Sequence, residues 1–565
     1  MTKLYKYAIN LLIILLLAIS IFFFINFNKG IELTDESYLL LISLYPNDVV
    51  GRVNNSGVIG NFLLHLVNFD LYYFRILGAL LLFISALALL NPLFKFQNKL
   101  LFIKNSEKNY LIIILILGSL NYYHNWVITP SYDLYNLIGI LFFINGIIRL
   151  TLSSKKKLKI IFPISLIIFG GIITFICKPT TTFFLILIFI IWLLYFFNFK
   201  KISFILLFSS FIGFVVFLTY ILFFYKNIEF FINDLIVGIE LKTILDPRYS
   251  IIDNFLSTIK QIIFYLYTNF LFLLFFLLAL IFLKIFFKKN FINIAFILIF
   301  IPLLLKNGLI LSSTFLIFFY FLFDLHLTKI LKINRNEITF LFYNFILILI
   351  LYAYVVGTNT NVIVLLNKAS LIIFLLIYSF VLKFNFTKIF VFPKVIFLFF
   401  ILTFFTLKNL YYNFEEPRRY NSKIYDQTKA ISLPSFNGTI YVDEITFNFI
   451  SDFKSILKKN GWKNGNYLVD LTGREPGLNI ISGAKFLTVP WWASAYVGSE
   501  KMAKKLISIS NINKIKNSWF VTTDYKINIS PKILNFVGLE LEKNYKLIGK
   551  IQKKNKSYFI WKPKY

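Results

Sequence analysis

Cysteine is nearly missing from this chain: Cys177 is the only one in 565 residues. A lone thiol excludes an intramolecular disulfide and any cysteine-based zinc or iron–sulfur site. At a helix end it reads as packing. Three histidines, His65, His124 and His326, leave little material for a metal cage. No glycine-rich phosphate loop or dinucleotide fingerprint is present, so no nucleotide cofactor is implied. Charge is scarce as well. Only 15% of residues carry one, against 58% hydrophobic and 20% aromatic, and the mean hydropathy is +0.76. Those proportions exclude a soluble globular domain, because most of the chain must be solvated by a lipid bilayer.

The charge that is present is lopsided, at a net +32. Only eight of the 58 basic residues are arginine, and many of the lysines fall in short loops between apolar segments. Lysine in such loops follows the membrane's positive-inside bias, so nucleic acid is not an implied partner.

Apolar segments long enough to cross a bilayer fall near 8–27, 70–91, 110–127, 132–150, 158–176, 180–198 and 202–225. Six more follow near 262–287, 291–305, 308–325, 338–356, 362–382 and 388–407, which predicts about thirteen transmembrane helices. The first lacks a small-residue cleavage site and reads as an anchor. With the amino terminus in the cytoplasm, every even-numbered connection is cytoplasmic, and each carries two to four lysines or arginines, from Lys95 and Lys99 to Lys383 and Lys388. The odd connections near 122–131 and 357–361 carry none. The expected protein is therefore an α-helical polytopic membrane domain over 1–407, with outer loops at 28–69 and 226–261; a bacterial inner (cytoplasmic) membrane is the expected location. A carboxy-terminal extracytoplasmic α/β domain follows over 408–565. That last domain holds 26 basic and 12 acidic residues, a net +14 suited to anionic headgroups or glycans. Its strands are expected at 439–443, 467–471, 519–523 and 557–561, with helices at 447–459 and 501–508.

Candidate chemistry gathers on the outer side. Asp35 and Glu36 follow the first span by about eight residues, where a carboxylate can act as a general base at the membrane surface. A solvated acidic pair is the plainer reading. Tyr38 follows in an amphipathic stretch. The connection Asn121–Asn136 brings His124, Tyr132 and Asp133 to the same compartment; an aromatic belt with an acidic helix cap accounts for these residues equally well. Lys178, in a connection too short to leave the membrane, is either a snorkelling anchor or a phosphate contact, and Arg52 and Arg248 are further phosphate candidates. In the outer domain Asp470–Gly477 forms a glycine-rich turn after a strand, and Trp491 and Trp492 are suited to stacking on sugar rings or to packing.

An acidic pair after the first span, many spans and an outer carboxy-terminal domain together resemble the GT-C superfamily of integral-membrane glycosyltransferases, such as protein O-mannosyltransferases and lipid A aminoarabinose transferases. The resemblance implies a polyprenyl-phosphate sugar as donor, a glycan, lipid or protein as acceptor, and inverting transfer with Asp35 as base. Lys178, Arg52 or Arg248 would stabilise the leaving phosphate. Glu36 or Asp133 would orient the acceptor or hold an optional divalent cation; no cofactor is required. An O-antigen polymerase or ligase, a lipid-linked glycan flippase or transporter, and a non-catalytic assembly protein are the rival classes. A polymerase or ligase would rely on loop arginines, and a transporter on mid-span charges.

Overall fold

The computed structural model describes residues 2–101, 108–153, 160–225, 227–247, 250–268, 335–357, 360–383, 391–524 and 528–564. Twelve helices occupy the first part: α1 (Thr2–Ile25), α2 (Asp35–Leu44), α3 (Ser56–Leu66), α4 (Leu71–Leu87), α5 (Leu90–Leu101), α6 (Lys108–Asn121), α7 (Tyr132–Leu152), α8 (Ile161–Cys177), α9 (Pro179–Phe196), α10 (Phe199–Tyr225), α11 (Ile228–Leu245) and α12 (Ile251–Thr268). After the undescribed stretch come α13 (Arg335–Val355), α14 (Val362–Lys368), α15 (Ser370–Lys383) and α16 (Val391–Glu415).

The chain is mostly helical and has the build of an integral membrane protein. Among the described residues six helices are long and apolar enough to cross a membrane, or seven if α14 and α15, bent by 70° at their junction, count as one span. The expected thirteen is not reached among the described residues. The segments expected at 110–127 and 158–176 form α6 and α8, of 14 and 17 residues. At 1.5 Å per residue α6 reaches only about 21 Å, short of a roughly 30 Å hydrocarbon core. The segments at 291–305 and 308–325, and most of 262–287, lie outside the described residues.

Burial sorts the helices by position. α7 has 89% of its apolar window buried, whereas α1 and α10 have 22% and 17%. A helix apolar on all sides belongs either in a bundle centre or against lipid, and these two classes occupy those places. Close packing at the centre depends on missing side chains. A Cβ on Gly139 would lie 2.8 Å from the Gly170 carbonyl oxygen, so α7 and α8 touch backbone to backbone.

The carboxy-terminal part begins later than expected, because α16 runs on through Lys408 to Glu415. Two small sheets follow. β1 (Lys429–Ile431) pairs antiparallel with β2 (Ile440–Val442). The larger sheet has the order β3–β4–β6–β5, with β3 (Leu468–Asp470) parallel to β4 (Trp519–Thr523), and β6 (Lys556–Pro563) antiparallel to both β4 and β5 (Tyr545–Lys553). The helix Glu444–Lys459, capped by the Asp443 carboxylate accepting from Thr446 N, lays Phe449, Ile450, Phe453 and Leu457 on the sheet.

This part is seated on the first outer loop. Gly30 N donates to the Tyr441 carbonyl at 2.6 Å, Gly477 N to Leu33 at 2.9 Å and Val50 N to Thr488 at 2.8 Å. Ile31 and Leu33 share one core with Val442, Leu478 and Ile480. The second loop joins it too, since Lys505 reaches Glu240 of α11 at 2.8 Å. The three segments assigned to the outer face thus pack together.

Candidate active site

Asp35 and Glu36 open α2, and one residue of helix turns a side chain by about 100°, so the adjacent carboxylates face different surroundings. Glu36 turns inward and is 2% exposed. Its Oε1 accepts from Arg75 Nη2 at 2.7 Å and from the Thr129 hydroxyl, and its Oε2 accepts from Glu32 N at 2.9 Å. Arg75, on α4 and fully buried, spends its remaining donors on the Phe27 and Gly30 carbonyls and on Thr129. Every group in this pair has a partner, which is what a buried ion pair requires.

Asp35 turns outward, its side chain 35% exposed, and Oδ2 lies 2.9 Å from Arg419 Nη1 and 3.3 Å from Arg418 Nη2. Both arginines sit just beyond α16, in the strap leading to the outer domain. Glu32, one turn before Glu36, completes the group, with Oε1 3.5 Å from Arg419 Nη1. Burial is the chief cause that raises the Glu32 pKa; hydrogen bonding from Glu36 N opposes it and the charge of Asp35 adds to it.

Glu32, Asp35, Glu36, Trp126, Val127 and Arg418 line a small, partly open cleft. Trp126 takes a left-handed backbone conformation, φ +52°, uncommon for a bulky residue and a mark of local strain. Its ring is wedged against Phe23, Phe27 and Phe414. The cleft therefore has one firm aromatic wall, one half-exposed carboxylate and the Arg418 guanidinium, with Arg419 paired to the same carboxylate. Its chemistry suits proton removal beside a bound anion.

The other candidates fall elsewhere. Asp133, in the first turn of α7, is ion-paired to Lys368 at the α14–α15 break. Lys178, between α8 and α9, donates from Nζ to the Tyr354 and Val355 carbonyls at the end of α13. Its nearest charges are Asp133 and Lys368, and it does not line the Asp35 cleft. Arg52 is also committed: Nε meets Asp234 of α11 at 2.8 Å, Nη1 donates to the Pro46 carbonyl and the guanidinium lies over the Tyr225 ring. These bonds tie the first outer loop to α11. Arg248 lies outside the described residues.

His124 is half-buried, with Lys368 and Arg418 as its neighbouring charges, so it stands between the cleft and the Asp133 cluster. Tyr132 packs on the core under the outer domain. Tyr38 meets Trp491 with ring centroids 6.2 Å apart, while Trp492 is buried and donates to the Leu487 carbonyl. Asp470, at the end of β3, accepts from Thr472 N and Glu475 N, and burial pushes its pKa up to about 6.

Sequence reasoning did not single out Glu32, Arg75, Lys368, Arg418 or Arg419. One signal was available: Arg418 and Arg419 are adjacent arginines in a chain that has only eight. Among the described residues no group of three or more His, Cys, Asp or Glu side chains could hold a metal ion. Asp35 is paired with Arg418 and Arg419, Glu36 with Arg75 and Asp133 with Lys368. The chain matches no protein-family model, no curated protein and no solved structure.

Proposed function

We propose that this protein is an integral-membrane glycosyltransferase that moves a sugar from a polyprenyl-phosphate donor to an extracytoplasmic acceptor, with Asp35 as the base. One observation carries the reading: Asp35 is a half-exposed carboxylate on a cleft that also presents the Arg418 guanidinium. Placement in a bacterial inner membrane, with the amino terminus cytoplasmic and the outer domain outside, belongs to the same proposal.

The step balances on this chain's residues. The acceptor O–H bond breaks and its proton passes to Asp35, while the acceptor oxygen bonds to the anomeric carbon. The bond from that carbon to the phosphate oxygen breaks, and the electron pair stays on the phosphate. Arg418 and Arg419, which flank Asp35, stabilise that charge. A phosphate binding the two guanidiniums competes with Asp35 for them, so donor binding would free the carboxylate for the acceptor.

A second reading has its own observation. Asp133, Lys178 and Lys368 are buried charged groups beside a helix pair broken by 70°, as a lipid-linked glycan transporter would have. Incubation with a polyprenyl-phosphate sugar separates the two. A transferase releases polyprenyl phosphate, and Asp35→Asn lowers that release about a hundredfold or more. Wild-type release from Asp35→Asn would end the proposal, and transbilayer movement of the lipid without release would favour transport.

A further inference from the structure

The strap that follows α16 lies directly over the start of α2. Arg418 reaches Asp35, Arg419 reaches Asp35 and Glu32, and the Tyr420 hydroxyl lies 3.5 Å from Glu36 Oε2. The fit is close, since a Cβ on Gly30 would fall 2.2 Å from the Tyr420 ring. Each of the three carboxylates thus receives a strap side chain.

Among the three, Glu32 is the one fixed most firmly by its own segment. Its Oε2 accepts from Glu36 N at 2.8 Å and its Oε1 from Thr34 N at 3.0 Å. In return Glu32 N donates to Glu36 Oε2, and the Glu32 carbonyl accepts from the Ser37 hydroxyl at 2.8 Å. Thr34 occupies the cap position of α2 but makes no side-chain cap bond. The Glu32 carboxylate supplies that cap instead, at the positive end of the helix. Glu36 is in turn anchored to the buried Arg75. A continuous chain of contacts runs from Arg75 through Glu36 and Glu32 to Arg419.

Arg419 needs an anchor. Its φ of +63° is left-handed, a conformation that non-glycine residues adopt under local constraint. Its guanidinium, shared between Glu32 and Asp35, supplies one.

We propose that Glu32 is a positioning residue, holding Arg419 across the cleft so that the strap is pinned to α2 and the Asp35 carboxylate is presented in one orientation. The pinning stands on the contacts alone; its catalytic consequence rests on the transferase reading.

Trypsin cleaves after arginine and lysine, so nicking after Arg418 and Arg419 in the full chain in lipid nanodiscs reports opening of the strap. Lys554, in the exposed turn between β5 and β6, serves as an internal reference. Arg419 is 41% exposed, and a contact of that kind is worth roughly a two- to fivefold change in an equilibrium. Glu32→Gln should therefore speed cleavage after Arg418 and Arg419 roughly two- to fivefold while cleavage after Lys554 stays constant. If Glu32→Gln misfolds, cleavage at both places rises together. Arg419→Gln then removes the contact from the other side, together with the Asp35 contact, and should speed cleavage after Arg418 by at least that factor. Strap cleavage at the wild-type rate in a folded variant overturns the proposal.

Turnover gives a second readout that loss of fold would not produce. Glu32→Gln should lower kcat several-fold with the donor KM within about twofold, because Arg418 still meets the phosphate. An unchanged kcat with a loosened strap would remove the catalytic role. No release from the wild type would remove the transferase reading and leave the strap experiment to decide the rest.

Discussion

Replacing Glu36 by glutamine should damage stability far more than replacing its neighbour Asp35 by asparagine. The Glu36–Arg75 pair is 3% and 0% exposed by side chain, at 2.7 Å. Removing one member of a buried pair costs about 3–5 kcal/mol, because the other charge stays buried without compensation. Glutamine can still accept from Arg75, which favours the lower end, but its amide nitrogen then meets Glu32 N, a donor facing a donor. Asp35 and its arginines are 35–41% exposed, and breaking such pairs costs about 0–1 kcal/mol. The two variants should differ by about 2–4 kcal/mol, or one to three powers of ten in the folded-to-unfolded ratio. Both can be unfolded by denaturant in the same nanodiscs and followed by tryptophan fluorescence, with yield of folded protein as a second measure. Equal stability of Glu36→Gln and Asp35→Asn would refute the division of the pair into an inward anchor and an outward functional group. A stable Glu36→Gln that loses turnover would refute it more sharply, since Glu36 would then be acting in the chemistry.

Two further outcomes are expected. Lys178→Met should lower stability or expression with little change in donor KM, because Nζ closes the end of α13 through the Tyr354 and Val355 carbonyls; a raised KM at wild-type stability would restore its phosphate role. An impermeant thiol reagent applied to intact cells should label a cysteine at the exposed Ser451 but not one at the exposed Asn198, as the lysine-rich loops require; labelling at 198 alone would reverse the topology.

Several elements were legible in the sequence because their causes are local. Lipid solvation is a property of composition, so the membrane class followed from hydropathy alone. Strand periodicity gave β4 with its observed ends, 519–523. Length was harder to read. A hydropathy window cannot see that α6 stops at Asn121 or that the chain bends between Lys368 and Ser370, because buried neighbours decide both.

The site was half legible. Asp35 and Glu36 look alike in sequence, and only the direction each side chain takes from α2 separates a carboxylate sealed against Arg75 from one open to a cleft. Lys178 and Arg52 read either as phosphate contacts or as structural groups, and the partners they have, the Tyr354 carbonyl and Asp234, lie 176 and 182 positions away. Arg418 and Arg419 meet Asp35 only because the strap folds back from the far end of the chain onto the first outer loop. Composition and periodicity fix what surrounds a segment, lipid or water, within a few turns. Which charge meets which depends on contacts between distant segments, and those exist only once the helices and the outer domain have packed.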